Sequence, residues 1–167
     1  MTATNFKGHP VKLVGEFIQV GKLAPDFELV KNDLSLLSLK DLKGKKVVLN
    51  IFPSLDTGVC ATSVRKFNQL AAGLADTVVL AISKDLPFAQ GRFCSTEGIA
   101  NVVPLSDYRP SNFDKNYGVL MGDGPLVGLL ARAVVVIGKD GKVEYTELVS
   151  EITQEPNYDK AIEAVKK

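Results

Sequence analysis

The chain has 167 residues, 46% of them hydrophobic and 23% charged, with a formal net charge of +1. That length and balance predict one domain spanning 1–167 with a sizeable apolar core, and so small a net charge excludes a field that would gather nucleic acid or an anionic membrane surface. No apolar run approaches the ~18 residues of a membrane span, and the opening MTATNFKGHP lacks the basic and apolar stretches of a secretory leader, so a reducing, cytoplasmic setting is expected.

In chain order, the first forty residues read as extended segments joined by turns. Val11, Leu13, Phe17, Ile18 and Val20 are interrupted by Gly15 and Gly21, FELV and LSLLSL flank Lys31-Asn32-Asp33, and Ala24-Pro25-Asp26 is expected to turn between the two pairs. From Lys46 the rhythm changes. KVVLNIF is a continuous apolar run, as expected of a strand covered on both faces. Cys60, Val64, Phe67, Leu70 and Leu74 then fall at helical spacing, with Arg65 and Lys66 outside. TVVLAIS is the next buried strand, and Asp85 is expected to N-cap a helix running through Cys94 with Pro87 in its first turn. VVPL reads as a short strand and SNFDKNY as a short helix closed by Gly118.

A glycine-rich apolar connector, GVLMGDGPLVGLL, leads into RAVVVIGKDGKVEYTELV, a hairpin with Asp140-Gly141 at its turn. Pro156 is expected to open a final helix. After the opening hairpins the order is β-α-β-α-β-α-β-β-α, which requires right-handed crossovers and a sheet covered by helices. The fold class read from this is α/β: a thioredoxin-like fold with a central mixed sheet flanked by helices and an N-terminal β-hairpin addition.

The chemistry gathers at one junction. FPSLDTGVC lies where the first parallel strand ends and its helix begins, the end at which such sheets carry their functional loops. There Cys60 falls in the first helical turn, where unpaired N–H groups and the positive dipole end favour a thiolate. Thr57 offers a hydroxyl three residues earlier, and Pro53 shields the site without presenting an N–H. Arg132 interrupts the apolar run VGLLARAVVVI. An arginine there needs a partner, and two stay open: the Cys60 thiolate or a carboxylate such as Asp107. The reading as a small buried hydrophobe stays open for Cys60 and is the readier one for Cys94, beside Phe93. One histidine, His9, and two cysteines match no zinc pattern, and a Cys-His hydrolase would have to recruit His9 from a polar end segment. A cysteine pair outside C-x-x-C spacing disfavours a thioredoxin-type dithiol, so an oxidoreductase acting on protein disulfides and a redox-sensing module stand as the rival readings.

The pattern Pro53-x-x-x-Thr57-x-x-Cys60 with a distant Arg132 resembles the peroxiredoxin active site. NIFPSLDTGVCATSVRKFNQLA, DLPFAQGRFC, GPLVGLLARAVVVI and EITQEPNYDKA further resemble the bacterial thiol peroxidase branch of that family, across essentially the whole chain. The resemblance implies a thioredoxin-dependent peroxidase with two cysteines and no metal or organic cofactor. It casts Cys60 as peroxidatic and Cys94 as resolving, the two closing an intramolecular disulfide that thioredoxin reduces. Pro53, Thr57 and Arg132 would shape the pocket for hydrogen peroxide or an alkyl hydroperoxide. It also implies a homodimer through a face near the active-site loop. The apolar residues Leu126, Val127 and Leu129 are expected on the surface, at that interface or in a pocket for organic hydroperoxides. Ala61, where many relatives carry proline, favours that branch, and GDGP in place of a GGLG motif, with no cysteine-bearing arm after it, leads us to expect resistance to overoxidation.

Overall fold

The computed structural model describes residues 3–167; the first two residues of the expected domain lie outside the described residues. Ala3–Phe6 (β1) and His9–Val14 (β2) pair antiparallel, with Phe6 opposite His9. Lys7 and Gly8 between them both have positive φ, 51° and 81°, the geometry of a type I′ turn, whose twist matches its strands. Glu28–Val30 (β3) and Leu36–Ser38 (β4) make the second hairpin. Phe17 and Ile18, expected in extended structure, lie instead in the loop after β2 with their side chains in the core, while Val20 is exposed.

The alternating region follows: Lys46–Ile51 (β5), Gly58–Ala71 (α1), Thr77–Ser83 (β6), Pro87–Glu97 (α2), Val103–Ser106 (β7) and Phe113–Asn116 (α3). Leu120–Met121 (β8), Ala133–Ile137 (β9), Val143–Leu148 (β10) and Tyr158–Lys166 (α4) complete it. The main sheet runs β10-β9-β5-β6-β7-β3-β4, with β5, β6 and β7 parallel at its centre and an antiparallel hairpin on either side. Its two faces are both covered, which is why its central strands are apolar without alternation. Val47, Leu49 and Ile51 of β5 pack with Phe17, Phe27, Phe113 and Tyr117. Val48, and Phe52 just beyond it, pack with Val64 and Phe67 of α1 and Ala161 and Val165 of α4.

Three local expectations are corrected. Leu86, with no side-chain cap, precedes α2; Asp85 does not cap it, because its carboxylate is taken by donors from a distant loop. Helix α4 starts at Tyr158 rather than at Pro156, since the Asn157 side chain accepts a hydrogen bond from Lys160 N–H and sets the first turn there. The glycine-rich connector contains a strand: β8 pairs with β2 to complete a small sheet, β1-β2-β8. Gly118, which leads into it at φ 67°, lies so close to the loop after β2 that a Cβ would come within 2.1 Å of Glu16 O. Beneath this sheet Leu126 and Leu129 are partly buried against Val11, Leu13 and Met121, so of the three connector residues only Val127 (59% accessible) is fully on the surface. At its far end α2 closes on Gly98 in the left-handed region, φ 66°, and both Gly98 N–H and Ile99 N–H donate to the Cys94 carbonyl.

Candidate active site

The carboxyl end of β5 delivers the loop that ends in Cys60. Phe52 N–H donates to Ile82 O at 3.1 Å, extending the parallel ladder by one residue, and Pro53 is buried behind it. The chain then turns tightly on Ser54, whose carbonyl accepts from both Thr57 N–H (3.2 Å) and Thr57 Oγ1 (3.1 Å). Thr57 is extended (φ −99°, ψ 145°) and is the N-cap residue of α1. Cys60 is therefore the third helical residue, in the turn whose N–H groups have no partner within the helix. Its side chain is 0% accessible.

Strand register brings the cation. Ala133 of β9 pairs with Ile51 of β5, so Arg132, one residue earlier, stands beside the same strand end. It is 2% accessible. Its Nη2 donates to Cys60 Sγ at 3.2 Å and its Nε to Ile152 O at 2.8 Å. Nη1 is buried with no hydrogen-bond partner. Of the two partners open at the sequence level, the structure places the cysteine against Arg132. Asp107 lies elsewhere, with Lys84 Nζ 3.1 Å away and Ser111 Oγ donating to it. Burial pulls Lys84 down, yet the hydrogen bond it donates to Asp114 and the charge of Asp107 outweigh it and its ammonium is held above the ordinary value. None of the ion pairs among the described residues involves Arg132.

The Thr57 hydroxyl, open at the sequence level to donating or accepting, has its donor role taken. Its hydroxyl proton is spent on Ser54 O rather than on the sulfur, which leaves its oxygen able to accept. Thr57 lines a hollow of about 350 Å³ with Asp56, Gly58, Ala61, Asp85 and Phe93, between the start of α1 and α2. Cys94 faces elsewhere. It is half-buried, its thiol pushed up by that burial, and it lines a separate hollow with Asn32, Ile99, Val102 and Pro104. Both cysteines are free thiols. A larger hollow of about 650 Å³ opens at the other end of β5, among Leu39, Leu42, Val47 and Ile137, and its lining contains no cysteine.

Two features escaped the sequence. Ile152 O, which aims Arg132, is a backbone group and carries no residue signature. Asp85 does carry one, two residues before Pro87, but the local rule assigned it to its own helix. Its carboxylate instead accepts from Ser54 Oγ (2.7 Å), Leu55 N–H (2.8 Å) and Ser83 Oγ (2.7 Å).

The family model described as Redoxin matches residues 19–162. A thiol peroxidase of Corynebacterium glutamicum is 56% identical over 165 residues, 99% of each chain. One of Mycobacterium tuberculosis is 55% identical over the same length and coverage. Among solved structures, a peroxiredoxin-like protein from Aquifex aeolicus superposes with a TM-score of 0.95 at 47% identity, covering 99% of this chain and 96% of that one. A thiol peroxidase from Chromobacterium violaceum gives 0.90 at 20% identity with the same coverages, a likeness of fold.

Proposed function

The chain belongs to the Redoxin family as a peroxide-reducing thiol peroxidase, and we propose that Cys60 is its peroxidatic cysteine and Cys94 its resolving cysteine. The observation that carries the assignment is the 3.2 Å contact from Arg132 Nη2 to Cys60 Sγ. A guanidinium is always charged, and beside a thiol at a helix N-terminus it favours the sulfur as its anion.

The thiolate attacks the nearer oxygen of a hydroperoxide. The S–O bond forms, the O–O bond breaks, and the alkoxide or hydroxide leaves and takes up a proton, giving alcohol or water and Cys60 sulfenic acid. Negative charge moves from sulfur to the leaving oxygen in this step. The unpartnered Nη1 of Arg132 is a donor available to that oxygen. Thr57 Oγ1 accepts from the peroxide hydroxyl, and Pro53 closes the wall against water. Cys94 sulfur then attacks Cys60 sulfur; the S–S bond forms, the S–O bond breaks and water leaves with the Cys94 proton. A thioredoxin dithiol supplies two electrons and two protons to restore both thiols, which places the cycle in a reducing cytoplasm. Exposed Leu86 and Phe88, 52% and 67% accessible at the start of α2, support a homodimer face at this end of the molecule.

The test is NADPH consumption with thioredoxin, its reductase and cumene hydroperoxide. Wild type turns over, and absence of turnover overturns the reading. Cys60→Ser abolishes activity. Cys94→Ser consumes one peroxide per chain and then stops; sustained turnover by that variant removes Cys94 from its role.

A further inference from the structure

Asp85 sits two residues before α2 yet forgoes the capping role for which aspartate is among the preferred residues. Two of its three accepted hydrogen bonds come from the Cys60 loop, from Ser54 Oγ and Leu55 N–H. The third comes from Ser83 Oγ at the end of β6, and its backbone carbonyl accepts from Ser106 Oγ of β7. Ser83 Oγ in turn accepts from Gln90 Nε2 at 3.2 Å. Gln90 lies one turn before Cys94 on α2, is 0% accessible, and also donates to Leu105 O. A continuous chain of hydrogen bonds thus joins the loop of one cysteine to the helix of the other.

The proton inventory fixes its polarity. Ser54 Oγ accepts from Asp56 N–H, and Ser83 Oγ from Asp85 N–H and Gln90, so each hydroxyl proton is free to point at Asp85. The carboxylate is acceptor only, and its hydrogen bonds are of the stronger, charge-assisted kind. Within this frame the cysteines do not meet: Cys60 is enclosed, and Cys94 lines a different hollow. Bringing the two sulfurs together therefore requires loop and helix to shift, and both are tied to Asp85.

We infer that Asp85 is a positioning residue shared by the two half-reactions: bound to Ser54 and Leu55 it holds Cys60 in the geometry that attacks peroxide, and its release is the opening step that lets Cys94 reach the sulfenic acid. The inference rests on the cysteine roles proposed above. It assigns opposite effects to one carboxylate, slowing the second step while sustaining the first.

Quench-flow with mass spectrometry resolves the two steps as the second-order loss of Cys60 thiol and the first-order loss of sulfenic acid. In Asp85→Ala the first is expected to slow about 10-fold and the second to accelerate about 10-fold. Asp85→Asn keeps one acceptor oxygen and falls between them. Amide exchange on the reduced protein, read without peroxide, is expected to rise together over 53–60 and 87–97 while β5 and β9 stay protected. That readout stands even if no peroxide turns over, which separates failure of this inference from failure of the proposed function. Unchanged rates, both steps slowing together, or exchange rising in only one segment overturns it. If Asp85→Ala does not fold, Asp85→Asn and Ser54→Ala decide by the same criteria.

Discussion

Arg132 carries a full charge into a site with 2% accessibility and meets there a carbonyl, a sulfur and, at Nη1, nothing. Desolvating a guanidinium costs several kcal/mol, and a carbonyl and a sulfur that leave Nη1 without a partner offset only part of it. The arrangement is therefore costly for stability and suited to chemistry that generates an anion at that spot. Replacing Arg132 by methionine strands no carboxylate, because none of the ion pairs among the described residues involves Arg132. Arg132→Met is expected to unfold within about 1 kcal/mol of wild type in urea, while its rate with peroxide falls about 100-fold or more. A rate near wild type would remove Arg132 from the reaction. Cys60 and Arg132 were legible because each breaks a pattern, a thiol at a helix start and a charge in an apolar strand. Asp85 was misread because its donors, Ser54 and Leu55, are 31 and 30 residues away, beyond any local rule.

Elements with long apolar runs, β5, β6 and β9, were predicted nearly residue for residue, while α1 keeps the expected apolar face but ends at Ala71, short of Leu74. Strand β8 was not predicted. Two residues have no period, and they are extended because β2 lies beside them with Leu13 opposite Met121. The approach to that strand depends on Gly118, where positive φ and the closeness of Glu16 O both exclude a side chain. Gly118→Ala is expected to destabilise the protein by about 3 kcal/mol, seen as a lower urea midpoint with unchanged slope; an unchanged midpoint would show that the loop after β2 yields freely.

At the scale of the molecule, the small sheet is held to the C-terminal segment by Glu151. Its carboxylate accepts from the backbone N–H groups of Thr153, Gly8 and Lys7, and hydrogen bonds led by those of Thr153 and Gly8 bring its pKa from an ordinary 4.5 to about 2. A depressed carboxylate contributes stability that is fully present above its ordinary value and lost as pH falls through the folded one. The stability difference between wild type and Glu151→Gln is therefore expected to be constant near neutrality and to shrink between pH 4.5 and about 2. A difference that does not change across that window would mean the carboxylate is not ionised in this role. The Gly98 cap on α2 has a consequence of another kind. Two N–H groups close on the Cys94 carbonyl, so on the proposed cycle the helix end is intact in the dithiol and disturbed in the disulfide. Helix stability then enters the reduction potential, and whatever strengthens α2 makes the protein a stronger oxidant of the dithiol that reduces it. Alanine at Gly98, strained by about 1 kcal/mol at positive φ, is expected to lower the potential by about 20 mV, measurable by equilibration against a glutathione or dithiothreitol redox series.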